Sequence, residues 1–168
     1  MKKTLYLVRH AHTEDRAPMF KDFERELTGR GVMDAARMGR HLAQQEITVN
    51  RIVTSSAVRA YQTAKVMAEQ LHFDVDAIES WDNLYDGGPQ AYLKAINATP
   101  EDCQWLMLCG HNPDISYFAE YLTRSDVGSM EKGSVAIFEF EDLNWAEVSG
   151  KTGTFVRYES PKQFRDKH

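Results

Sequence analysis

Leu5-Tyr6-Leu7-Val8 is an unbroken apolar run that stops at Arg9 and His10. A strand with one wet face alternates apolar and polar residues, whereas a strand covered on both faces does not, so this run predicts an interior strand of a parallel sheet. A polar stretch from His12 to Glu26 follows. Behind Thr28, which stands at an N-cap, Val32, Ala35, Ala36, Gly39, Leu42 and Ala43 recur at helical spacing. Arg51 to Thr54 reads as a second strand. Ala57, Ala60, Tyr61, Ala64, Met67, Ala68 and Leu71 then form the apolar face of a second helix, with Ser55 or Ser56 as its cap. Phe73 to Ile78 reads as a third strand, and Gly87-Gly88-Pro89 breaks the chain before a short helix through Tyr92, Leu93 and Ile96. Trp105 to Cys109 repeats the opening pattern. It ends at Gly110-His111-Asn112-Pro113, with Pro113 suited to the first turn of a helix carrying Ile115, Phe118, Ala119 and Leu122. Val135 to Phe140 and Thr154 to Tyr158 bracket a turn-rich segment and predict an antiparallel pair.

Strands alternating with helices predict an α/β fold: a three-layer sandwich with a mostly parallel central sheet, helices on both faces, and antiparallel edge strands near the C-terminus. In such folds ligands bind beyond the carboxyl ends of the parallel strands. A length of 168 residues fits one compact domain spanning residues 1–168. With 42% hydrophobic and 27% charged residues the chain is neither disordered nor membrane-like, and a formal net charge of −5 argues against a nucleic-acid partner. No apolar stretch reaches the roughly 18–20 residues of a membrane span and no secretory cleavage pattern follows Lys2 and Lys3, so a cytoplasmic protein without a membrane partner is expected. Cys103 and Cys109, on one extended segment, would stand about 20 Å apart, too far for a disulfide.

Three predicted strand ends carry related chemistry: Arg9 and His10; Thr54-Ser55-Ser56 with Arg59 in the next turn; and Gly110-His111-Asn112. A lone histidine in such a place is ordinarily a hydrogen-bonded loop residue. The arginines change that reading. Arg9 abuts a buried strand with no carboxylate beside it in sequence, and Arg59 opens a helix, where the dipole favours acids. A bound anion reverses both penalties, and phosphate suits guanidinium forks and helix N-termini. A histidine beside two arginines stays neutral near pH 7 and is available as a nucleophile.

At these residues the sequence resembles the histidine phosphatase superfamily, the phosphoglycerate-mutase-like proteins marked by an Arg-His-Gly signature at the end of the first strand. The resemblance is to the short SixA-like phosphohistidine phosphatases. It runs through "LYLVRHAHT", "ERELTGRG", "RIVTSSAVRAYQTA", "NLYDG" and "LMLCGHNPDIS", in that order, over roughly residues 4 to 122. The resemblance implies that His10 is the nucleophile that becomes phosphorylated, that Arg9 and Arg59 grip the phosphoryl oxygens, and that His111 stabilises the charge of the transferring group. It implies two steps, in-line attack and hydrolysis of the phosphohistidine, with no metal or other cofactor. The substrate would be a phosphorylated protein carrying phosphohistidine, or a small phosphorylated metabolite.

The chain departs from the pattern at Ala11, where glycine is usual. Larger relatives protonate an ester leaving group with a carboxylic acid in a Leu-x-acid segment, matched here by Leu84-Tyr85-Asp86, which makes Asp86 the candidate acid. Thr13 occupies the place of a small hydroxyl residue that can donate to phosphate; Thr28 reads as a structural cap. Three other readings compete. A metal site could use His10, His12, Glu14 and Asp15, but no zinc spacing supports it. A phosphate-binding module without turnover is disfavoured by the presence of both His10 and His111. A phosphatase of small sugar or nucleotide phosphates is the nearest alternative within the enzyme class.

Overall fold

The computed structural model describes residues 1–14 and 21–165. Its strands are β1 (Lys2–Arg9), β2 (Arg51–Ser55), β3 (Glu79–Trp81), β4 (Trp105–Gly110), β5 (Val135–Glu141) and β6 (Thr154–Glu159). Its helices are α1 (Gly29–Ala43), α2 (Val58–Gln70), α3 (Asn83–Asp86), α4 (Pro89–Asn97), α5 (Asp114–Leu122) and α6 (Lys162–Arg165). The strands form one sheet in the order β3-β2-β4-β1-β5-β6. The first four run parallel, and β5 and β6 add to the β1 edge antiparallel.

The unbroken apolar runs behave as their pattern requires. On β1, Leu5 and Leu7 point into a core closed by α4 and α5, while Tyr6 and Val8 point into a second core closed by α1 and α2. Both faces are therefore dry, and β1 and β4 are buried along almost their whole length. Thr28 caps α1, accepting the Gly31 N–H at 3.1 Å, and Pro89 opens α4 at its first turn.

Two expectations are corrected. The third strand is not Phe73 to Ile78: residues Val75–Ala77 make a turn of 3₁₀-helix, Phe73, Val75 and Ile78 pack against the α1/α2 core, and the strand is Glu79–Trp81. Neither serine caps α2, whose N-cap is Ala57 without a side-chain bond. Among the described residues no helix is long and apolar enough to cross a membrane.

Candidate active site

The sheet order decides the site. β4 lies between β1 and β2, with Arg9 level with Gly110 and Thr54 level with Cys109, so all three strands run out at one height. The side chains at or just past those ends, Ser55, His10 and His111, fall into one crevice.

The nucleophile candidate is fixed at every backbone group. His10 N–H donates to Gly110 O at 3.0 Å, and Gly133 N–H donates to both Arg9 O and His10 O at 3.0 and 2.9 Å. Gly133 adopts φ +78°, a conformation costly for any residue with a Cβ. Ala11 N–H donates to Thr63 Oγ1 at 3.0 Å, and that hydroxyl donates to Arg59 O at 2.8 Å, tying the His10 turn to α2. The His10 ring is held by its Nδ1, 2.9 Å from Ala11 O. A carbonyl only accepts, so Nδ1 carries the proton and Nε2 presents its lone pair. Arg59 Nε lies 3.4 Å from that Nε2.

His111 stands opposite, with ring centroids 5.2 Å apart. Its backbone N–H donates to the Tyr92 hydroxyl at 3.0 Å, and its Nε2 pairs with Ser55 Oγ at 2.7 Å. Gly110 makes this approach possible, since a Cβ there would sit 2.0 Å from the Tyr92 hydroxyl oxygen. His111 Nδ1 and Arg9 Nε are both buried without a partner among the described residues, while Arg9 Nη1 donates to Met130 O at 2.8 Å. Buried polar atoms are nearly always satisfied, so two orphans flanking one crevice mark where a ligand's acceptors belong.

Both imidazoles are kept neutral. Burial is the main cause for His10, pushed down to about 3, with the charges of His111, Arg59 and Arg9 adding to it against the Ala11 hydrogen bond. Burial likewise lowers His111 to about 4, aided by Arg59, Arg9 and Arg25 and opposed by Asp22.

Sequence reasoning missed the groups that wall the crevice. Arg59 Nη1 donates to Asp22 O at 2.6 Å and Nη2 to Asp22 Oδ2 at 2.9 Å; the Tyr85 hydroxyl donates to the same oxygen at 2.9 Å, and Arg25 Nη2 lies 3.0 Å from Oδ1. Partial burial alone would raise the Asp22 carboxyl, but Tyr85, Arg59 and Arg25 together hold it below the ordinary carboxylate range. Tyr85 also packs edge-on against His111, with centroids 5.5 Å apart. Asp86, at the end of α3, is exposed to solvent. Thr13 is buried, bridged to Leu27, and accepts from Arg25 Nη1 at 3.3 Å. Ser55, read as a cap, instead holds His111.

Of the metal candidates, His12 Nδ1 pairs with Thr28 Oγ1 at 2.8 Å, and Asp15 lies outside the described residues. Among the described residues no group of three or more His, Cys, Asp or Glu side chains is placed to hold a metal ion.

The model of the histidine phosphatase superfamily (branch 1) matches residues 5–105. An uncharacterized protein of Picosynechococcus sp. is 30% identical over 132 residues, 74% of this chain and 75% of that one. Among solved structures, a proposed phosphohistidine phosphatase SixA from Nakamurella multipartitia has a TM-score of 0.81 at 23% identity, covering 96% of this chain and 97% of that one. A protein histidine phosphatase SixA complexed with tungstate reaches 0.82 at 21% identity over 96% and 99%. The mycobacterial glucosyl-3-phosphoglycerate phosphatase Rv2419c gives 0.68 at 15% identity over 92% and 97%. These structural likenesses establish the fold, and the match over residues 5–105 establishes the kinship: the chain belongs to the histidine phosphatase superfamily.

Proposed function

We propose that this protein is a metal-independent phosphatase acting on protein phosphohistidine, its whole chain serving as one catalytic unit. The observation that carries the reading is the His10 ring, locked at Nδ1 by Ala11 O, with the lone pair of Nε2 facing a crevice lined by Arg59 and His111. Nε2 attacks phosphorus in line, the N–P bond to the leaving imidazole breaks, and the phosphoryl group passes to His10. A water then attacks the phosphorus of phosphorylated His10 and releases inorganic phosphate.

Arg9 and Arg59 neutralise the equatorial oxygens. Ser55 Oγ accepts the Ala57 N–H at 3.2 Å and keeps one proton to give; donated to His111 Nε2, it leaves His111 Nδ1–H to donate to the transferring group. The low pKa of both rings favours this assignment, because His10 needs a lone pair and His111 needs only one proton.

The leaving group follows from the carboxylates. Among the described residues Asp22 is the acid that reaches the crevice; it is held ionised by three donors and is a poor proton source near neutral pH. Asp86 is exposed at the rim. A site so built favours a group that departs without a strong acid, as a protonated imidazole does, over an alkoxide. Single-turnover reaction with a phosphohistidine protein, quenched in alkaline denaturant where the N–P bond survives, tests this. Label on His10, absent in His10→Ala, is the expected result; turnover with unlabelled His10 overturns the mechanism. A higher kcat/KM on sugar or nucleotide phosphates than on phosphohistidine protein overturns the substrate.

A further inference from the structure

Beside the crevice, on the Arg9 side, lies a second cleft of about 270 Å³ whose lining includes Arg9, Arg30, Lys132, Lys162, Arg165 and Glu131. The formal net charge of the chain is −5, so a concentration of cations here runs against its overall balance. Among the described residues two acids offset them in part. Asp34, whose side chain is only 2% exposed, takes Arg165 at 2.7 Å and Arg30 at 3.9 Å, and Glu131 takes Lys162 at 2.7 Å. Leaving Arg165 aside with its partners, the described residues set Arg9, Arg30, Lys132 and Lys162 against these two acids, and the balance is positive. Lys132 and Lys162 stand exposed at its mouth.

The cleft is joined to the reacting centre. Arg9 lines it and directly precedes His10, and Gly133, next to Lys132, donates its N–H to the carbonyls of both Arg9 and His10. A substrate with its phosphoryl group on His10 therefore has the neighbouring part of its surface over these cations.

We propose that this cleft docks the carboxylates of an acidic polypeptide segment beside the phosphorylated residue of the substrate. The inference rests on the reading of the site as a protein phosphatase, and deepens it. The charges are single, spread around the mouth, and mixed with Glu131. A compact dianion would meet only one or two of them, whereas acidic side chains on an extended segment, advancing about 3.3 Å per residue, meet several in turn. Exposed pairs of this kind are individually weak and screened by salt, so two or three of them amount to roughly a 5-fold effect on KM.

The test compares two phosphohistidine peptides that differ only in having glutamates or glutamines flanking the phosphorylated residue. The expected result is a kcat/KM about 5-fold higher for the acidic peptide, carried by KM, shrinking at high salt, and lost in Lys132→Glu/Lys162→Glu. Equal kcat/KM at low salt, or a preference that the double variant retains, overturns it. The wild-type comparison and its salt dependence decide the matter should the variant fold poorly. Turnover of p-nitrophenyl phosphate without turnover of either peptide refutes the phosphohistidine reading instead. Docking is then read from the fluorescence anisotropy of a labelled, unphosphorylated acidic peptide: salt-sensitive binding weakened by the double variant supports the cleft, and binding indifferent to both overturns it.

Discussion

Replacing both site histidines, His10→Asn together with His111→Asn, should make the protein more resistant to acid. In the unfolded chain each histidine takes up a proton as pH falls below about 6.5. In the folded protein His10 stays neutral down to about 3 and His111 down to about 4. Over that window the unfolded state binds more protons than the folded one, so stability is fully present above pH 6.5 and is lost as pH falls toward the folded values. At pH 5 the loss is about 1.5 pH units times 1.36 kcal/mol, or about 2 kcal/mol for each ring and about 4 kcal/mol for the pair. The rings are only 5% and 7% exposed, so solvent screening discounts this little. Set against a typical domain stability of about 5–15 kcal/mol, the pair dominates the acid limb.

The measurement is urea unfolding of wild type and double variant at pH 8 and pH 5 in a buffer without phosphate. The substitutions carry their own pH-independent cost, so the quantity read is the change between the two pH values. Wild type should lose about 4 kcal/mol more than the variant. Inorganic phosphate should reduce the wild-type loss, because a bound anion favours the protonated rings that burial and the arginines disfavour. Parallel pH dependences would refute the placement of both rings in a dry, cationic crevice.

Asp22→Asn should tighten competitive inhibition by inorganic phosphate about 5-fold, since a 40% exposed carboxylate on Arg59 opposes the incoming dianion by about 1 kcal/mol after screening. A weaker inhibition constant would mean that Asp22 serves to hold Arg59 in place. Asp86→Asn should change kcat on phosphohistidine protein by less than about 3-fold, whereas a loss of about 100-fold or more would restore Asp86 as general acid. Tyr92→Phe should cost about 1–3 kcal/mol in urea unfolding, because the buried His111 N–H loses its acceptor and Tyr92 is fully buried; an unchanged midpoint would show that the bond is dispensable.

The parts of the candidate site legible in the sequence are those whose place follows from strand topology alone. Arg9, His10 and His111 each stand at the end of an unbroken apolar run, and once such runs lie side by side in a parallel sheet their ends must meet. Arg59 was legible for a related reason, a cation in the first turn of a helix. Asp22 had no such signal. It meets Arg59 across 37 residues of chain, from a turn of 3₁₀-helix in a polar loop that shows no apolar period.

Phe73 to Ile78 misled because apolar residues near a sheet serve strand or helix layer equally well. Here they fill the α1/α2 core, and the short strand that follows them needs only three backbone pairs to the edge of β2. Tyr85 and Asp86 show the limit of motif matching most clearly. In the one-turn helix α3 neighbouring side chains diverge by about 100°, so both cannot face the crevice. The tyrosine touches Asp22 and His111, and the acid beside it looks outward. A matched segment thus locates the turn that approaches a site, while the helical phase decides which of its residues arrives there.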